Sequence, residues 1–254
     1  MGITLNDIKL HYGSRILVEG ASGQIPTGRL TALVGRNGTG KSTLLRAIMG
    51  LNDQYAGEIL LQGKRLADLA PRERAAMVSF VTTDKVRIAN MACEDAVALG
   101  RAPYTNWIGR MQDIDREIVA RSLSLVGMSD FARKTMDTLS DGECQRVLIA
   151  RALAQDTPII LLDEPTAFLD LPNRYILAQL LARLAHEEHK TILFSTHDLD
   201  IALNICDSVA VIDTPALRIL RAEEMAKSGL IERLFAAEGL SSEVLMSVLG
   251  RLRG

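Results

Sequence analysis

Gly35-Arg36-Asn37-Gly38-Thr39-Gly40-Lys41-Ser42-Thr43 (GRNGTGKST) lies between an apolar run, Leu30–Val34, and a run suited to a helix, Lys41–Met49. Its first eight residues fit G-x-x-x-x-G-K-[ST]. The glycines let the backbone curl until successive N–H groups point at one anion. The start of the following helix adds a partial positive charge there. In such a loop Lys41 reaches the β- and γ-phosphates, the Ser42 hydroxyl ligates Mg²⁺, and Thr43 contacts the α-phosphate. Buried strand, glycine loop and helix in this order predict an α/β chain that holds ATP and magnesium through residues 35–43.

Outward from the loop, the α/β texture recurs at both ends of the chain. Ile3, Leu5 and Ile8, a turn at Gly13–Ser14, and a short strand at Ile16–Val18 predict a small antiparallel sheet. Gly20, Gly23, Pro26 and Gly28 punctuate it. Gly57–Gln62 and Val78–Val81 read as strands, and Pro71–Ala76 as a short helix with proline near its first turn. From about Asp84 to Thr157 the sequence turns helical, over Cys93–Leu99, Gln112–Val126 and Ser140–Ala154. Pro158–Leu162 (PIILL) reads as a strand buried on both faces. Helix Asn173–Glu187, strand Thr191–Ser195, helix Leu199–Cys206 and strand Val209–Ile212 follow, then a mainly helical tail over Glu223–Leu252. The expected division is an α/β core from 1–84 and 158–254, with a helical subdomain, 85–157, inserted between.

Two acids end the PIILL strand. Asp163 at its carboxyl edge would stand beside the phosphate loop and hold Mg²⁺ directly or through water. Glu164 would polarise an attacking water. Further back, Ser140 and Glu143 of Leu139-Ser140-Asp141-Gly142-Glu143 form a capping box at a helix start. A serine hydroxyl and a glycine backbone at a helix N-terminus also suit an anion, and both readings are compatible.

Bulk properties narrow the class. The 254 residues carry a formal net charge of −2, without the basic excess or stripe that a nucleic-acid binder usually shows, so no nucleic-acid partner is expected. Cys93, Cys144 and Cys206 are scattered and lack metal-ligand spacing, which suits reduced thiols in a cytosolic compartment. MGITLNDIKL has no charged start before a long apolar stretch. No apolar run approaches the ~18 residues of a membrane span. A role at a membrane would therefore need another chain to hold this one there.

GRNGTGKST, LSDGECQRVLIARAL, LLDEPTAFLD and the STHD of Ser195–Asp198 occur in the order and rough spacing of ATP-binding-cassette (ABC) ATPases, and the resemblance covers nearly the whole chain. It implies a P-loop NTPase (RecA-like) core with an N-terminal antiparallel β subdomain and an inserted helical subdomain. It also implies ATP hydrolysis in a head-to-tail homodimer. Ser140, Gly142 and Glu143 of one subunit would close over the γ-phosphate held by the other. Asp170 would cross the dimer seam, His197 would contact the γ-phosphate, Glu164 and Lys41 would complete the catalytic set, and Tyr12 would stack on adenine. The chain departs from the family pattern twice. Val81-Thr82-Thr83-Asp84 stands where a glutamine is usual, so Thr83 takes the place of a magnesium ligand, with water or Asp84 to assist. Asp141 replaces the second glycine of the LSGGQ-type signature and is expected to face solvent or a basic partner.

A single cassette without a membrane segment resembles the ATPase of an importer, in which two copies serve a separate integral membrane permease at the cytoplasmic face of the inner membrane, with an external substrate-binding protein. Leu99-Gly100-Arg101-Ala102-Pro103-Tyr104 resembles the G-R-x-P-[YW] segment of ATPases for iron-siderophore, haem and cobalamin uptake. A soluble cassette of the repair or translation type is the main alternative. A metabolic P-loop kinase and a non-hydrolysing regulatory module are the others.

Overall fold

The structure, a computed structural model, describes residues 2–83, 88–104, 111–167 and 169–231. The strands are β1 (Ile3–Tyr12), β2 (Arg15–Ile25), β3 (Leu30–Gly35), β4 (Tyr55–Leu61), β5 (Lys64–Arg65), β6 (Val78–Val81), β7 (Ile159–Leu162), β8 (Thr191–Ser195), β9 (Ser208–Asp213) and β10 (Ala216–Arg221). The α-helices are α1 (Lys41–Met49), α2 (Pro71–Met77), α3 (Cys93–Ala98), α4 (Asp113–Leu125), α5 (Asp141–Ala154), α6 (Leu171–Glu187), α7 (Leu199–Asn204) and α8 (Ala222–Lys227).

A six-stranded sheet runs in the order β10-β9-β3-β8-β7-β6. All its pairings are parallel except that of β10 with β9. Strict alternation of side chains sends them into two cores, one on each face. Ala32, Val34, Ile160, Leu162, Ile192, Phe194, Val209 and Val211 face one way, against α5, α6 and α7. Leu33, Leu161, Leu193, Ala210 and Ile212 face the other, against Leu44, Leu45 and Ile48 of α1 and against a second sheet. That second sheet is antiparallel, in the order β2-β1-β4-β5. Helices α3, α4 and α5 fall between β6 and β7 in sequence.

Parallel pairing has one consequence that matters most here. The carboxyl ends of β3, β6, β7 and β8 all lie on the same edge of the sheet, the edge where α/β folds bind ligands. The phosphate loop, Thr83, Asp163-Glu164 and His197 follow those four ends in the chain.

Three sequence expectations need correction. The strand expected at Ile16–Val18 extends over Arg15–Ile25. Gly20 and Gly23 do not break it, because Gly23 makes room for a neighbour: a Cβ there would stand 2.9 Å from Ile219 Cδ1 of β10. The helical tail begins one residue before the expected Glu223, and only Ala222–Lys227 and the turn to Ile231 fall within the described residues. Strand β10 went unanticipated. Its alternation is weak, with one buried side chain, Leu217, and three arginine or leucine positions at intermediate or full exposure.

Candidate active site

The loop after β3 folds as its glycines require. Gly38 (φ 74°) and Gly40 (φ 103°) sit in the left-handed region, and Gly40 is the N-cap of α1. A Cβ on Gly40 would lie 2.8 Å from Leu17 Cδ1, so both backbone angle and space exclude a side chain there. Gly35 is as confined, with Ile212 O and Thr39 Oγ1 each 2.8 Å from where a Cβ would be. The loop is cross-braced from within. Thr39 Oγ1 donates to Arg36 O at 2.8 Å, and Lys41 Nζ donates to Gly35 O at 2.9 Å and Arg36 O at 3.3 Å. Arg36, Asn37 and Gly38 form the exposed crest, while Ser42 and Thr43 are half-buried on the first turn of α1.

Lys41 is buried. That burial pulls its ammonium below the usual lysine value, and the nearby carboxylates of Glu164 and Asp163 oppose the shift. The two acids are thus close enough to the loop for their charge to be felt at Nζ.

Ser195, the last residue of β8, ties the acidic pair together. Its Oγ donates to Asp163 Oδ1 at 2.7 Å and accepts from the Glu164 N–H at 2.8 Å. Asp163 is buried, and Ser195 leaves its Oδ2 without a hydrogen-bond donor among the described residues. Thr83 Oγ1 donates to the Asp163 carbonyl at 3.0 Å, so Thr83 does reach the foot of this site. Asp84 lies outside the described residues. Glu164 adopts φ 45°, uncommon for a residue with a side chain and a mark of backbone strain at functional positions. Its Oε1 lies 2.8 Å from His197 Nε2, and both side chains reach solvent.

A second group gathers around the start of α5. Ser140 is its N-cap: Oγ accepts from Glu143 N at 3.3 Å, and Glu143 Oε2 accepts from Ser140 N at 2.8 Å and Ser140 Oγ at 2.7 Å. The Ser140 hydroxyl and N–H together hold the Glu143 carboxyl below its ordinary range. Asp170 caps α6, accepting from Asn173 N at 3.2 Å and Asn173 Nδ2 at 2.6 Å. Residues 140–143, Asp170 and Asn173 line one open hollow of about 510 Å³, together with Arg146. The chain separates them by nearly thirty residues; the fold brings them to one face. Asp141, on that face, is half-buried. Tyr12 ends β1 with 71% of its surface exposed, next to the turn at Gly13.

Apart from Asp84, the residues anticipated from sequence fall within the described structure: one group follows the ends of β3, β6, β7 and β8, another surrounds the start of α5, and Tyr12 stands exposed at the end of β1. Ser195 was not singled out, although the STHD stretch begins with it. Its signal was a lone hydroxyl closing the otherwise apolar run Ile192-Leu193-Phe194.

The profile of a family described as ABC transporter matches residues 18–167. The iron(3+)-hydroxamate import ATP-binding protein of Bacillus subtilis (strain 168) is 36% identical over 200 residues, 79% of this chain and 74% of that protein. The cobalamin import ATP-binding protein of Halobacterium salinarum is 37% identical over 212 residues, 84% of this chain and 52% of that protein. Among solved structures, the dimeric structure of MJ0796, a bacterial ABC transporter cassette, superposes with a TM-score of 0.72 at 29% identity, covering 87% of this chain and 98% of that one.

Proposed function

Since this chain belongs to the ABC transporter family, as an ATP-binding ATPase subunit, we propose that it powers an importer of iron-siderophore, haem or cobalamin type from the cytoplasmic face of the inner membrane. Two copies pair head to tail and serve a separate integral permease, which receives cargo from an external binding protein. The observation that carries the catalytic part is the chain of contacts from Asp163 through Ser195 to Glu164 and on to His197. The resemblance of Leu99–Tyr104 to the G-R-x-P-[YW] segment, and the import functions named for the two relatives, support the cargo class.

In this reading, backbone N–H groups of 35–43 cradle the triphosphate, Lys41 leaves its loop carbonyls for the β- and γ-phosphates, and Tyr12 covers adenine. Asp163 Oδ2 and Ser42 Oγ, with Thr83 nearby, would hold magnesium, which neutralises phosphate charge when bound. A buried carboxylate with one uncommitted oxygen fits a hard cation that takes few protein ligands and several from phosphate and water. Glu164, its carboxylate aimed by His197, orients the attacking water. Ser140, Gly142 and Glu143 of the other copy close over the γ-phosphate, and Asp170 crosses the seam beside them.

No helix among the described residues is long and apolar enough to cross a membrane. The test is affinity purification of the tagged chain from detergent-solubilised cells, with mass spectrometry of what accompanies it. A polytopic membrane protein in near-equal amount is expected, and its family narrows the cargo. Ribosomes, repair proteins or no membrane partner would replace the importer with a soluble cassette.

A further inference from the structure

Arg101 is a buried arginine far in sequence from the groups above. Its side chain is 8% exposed, and that of its partner Asp115 is 5% exposed. Nε donates to Asp115 Oδ1 at 2.8 Å, while Nη1 donates to Ala154 O at 2.9 Å. The Tyr104 ring covers the guanidinium at 4.1 Å. Asp115 is itself held by Gln112 N, which donates to its Oδ2 at 2.9 Å. A buried charge pair is costly to desolvate and is therefore weak evidence for stability as such. What it fixes here is geometry, because the planar fork of arginine contacts two elements at once.

Those elements are the start of α4 and the last residue of α5. Gly100 sets the same junction tighter: a Cβ there would collide with Arg151 O and stand 3.1 Å from Gln155 N. On the other side, Gln155 Nε2 donates to Ala75 O at 2.7 Å and to Val78 O at 3.3 Å, joining this end of α5 to α2 and β6. One end of α5 is therefore clamped and the other carries Ser140. A helix of 14 residues is about 21 Å long, so a tilt of about 3° at the clamp moves the far end by about 1 Å.

We propose that Arg101 is a positioning residue for Ser140: braced by Asp115, it sets the angle at which α5 presents its N-terminus to nucleotide held by the other copy. This rests on the in-trans role of Ser140 given above.

The test is a double-mutant cycle on the full chain, reading ATP affinity, kcat and thermal unfolding. Arg101→Met combined with Asp115→Leu removes both charges without leaving one buried alone. Arg101→Lys keeps a charge toward Asp115 but not the fork, and serves if the paired variant fails to fold. Each is expected to keep ATP Kd within about twofold, since the phosphate loop is untouched, while kcat falls about 10- to 100-fold, the loss that a misplacement near 1 Å produces. Added to Ser140→Ala, each is expected to slow turnover no further. A kcat within about twofold of wild type, or losses that multiply with Ser140→Ala, overturns the proposal alone. Full turnover in Ser140→Ala itself overturns the in-trans reading and the proposal with it.

Discussion

His197 Nε2 stands 2.8 Å from Glu164 Oε1, across the carboxyl ends of two neighbouring parallel strands. The contact orients a carboxylate whose backbone is already held in an uncommon conformation. Replacing Glu164 by Gln preserves shape and hydrogen bonding but removes the basic oxygen. ATP binding should survive, turnover should fall by about 10²–10⁴-fold, and an ATP-bound dimer should accumulate, visible by light scattering. Normal turnover in this variant would sink the catalytic assignment.

Ser195→Ala should damage the same site from below. Removing Oγ leaves the Glu164 N–H and Asp163 Oδ1 without the Ser195 hydroxyl, which is fully buried. An unsatisfied buried group costs about 1–3 kcal/mol, so the urea midpoint should drop and turnover should drop with it. An unchanged midpoint would mean that the bridge contributes nothing.

The proposed magnesium site at Asp163 and Ser42 predicts a metal dependence. Excess chelator should abolish turnover, and added magnesium should restore it. Ser42→Ala should raise the magnesium concentration needed for half-maximal rate, while leaving unfolding in buffer unchanged. Full activity with chelator present would exclude a hard-cation site at Asp163.

Asp115 predicts an acid limb of stability. The Gln112 N–H, then the Arg101 guanidinium, hold its carboxyl below the ordinary aspartate range. The folded pKa is thus lower than the unfolded one, near ~3.9. The stabilisation is present above that value and is lost as pH falls through the folded pKa. Asp115→Asn should be less stable than wild type at pH 7, with the gap narrowing below about pH 4. Parallel curves down to pH 2.5 would show that Asp115 titrates alike in both states.

Thiol reactivity is the simplest check on the core packed against α5, α6 and α7, which holds every cysteine. All three cysteines are buried and none is in a disulfide. Burial pushes the Cys206 thiol far up, and the Cys93 thiol up as well, away from the reactive thiolate. A thiol-specific dye should label less than one site per native chain and three after denaturation. Fast native labelling would contradict the packing around α5 and α7.

What could be read in advance was what the chain writes locally. The acidic pair after PIILL stands out as two neighbouring residues, and GRNGTGKST and the Ser140–Glu143 box each close their internal hydrogen bonds within a few residues. Ser195 does not. Its role exists only because β7 and β8 pair with Leu162 opposite Phe194, which sets the next residues of each strand side by side. Arg101 escaped for the same reason, since its partners are 14 and 53 residues away. Strand β10 was hidden because an edge strand buries only one flank, and two of its six residues are arginines.

The position of β3 has a consequence for how the chain is made. Thr31 pairs with Ser208 on one side and Leu193 on the other. At ~5–20 residues per second of synthesis, on the order of 10–30 s pass between the emergence of Leu30–Gly35 and that of its second neighbour. The antiparallel sheet needs nothing beyond Arg65 and can form early. The central strand of the six-stranded sheet must wait, with both edges unpaired. Nascent chains stalled just after Lys190 should therefore be cut by protease around Leu30–Gly35, and chains long enough to expose β9 outside the ribosome should resist. The loop that follows β3 comes to rest only after Ser208–Asp213 has been made.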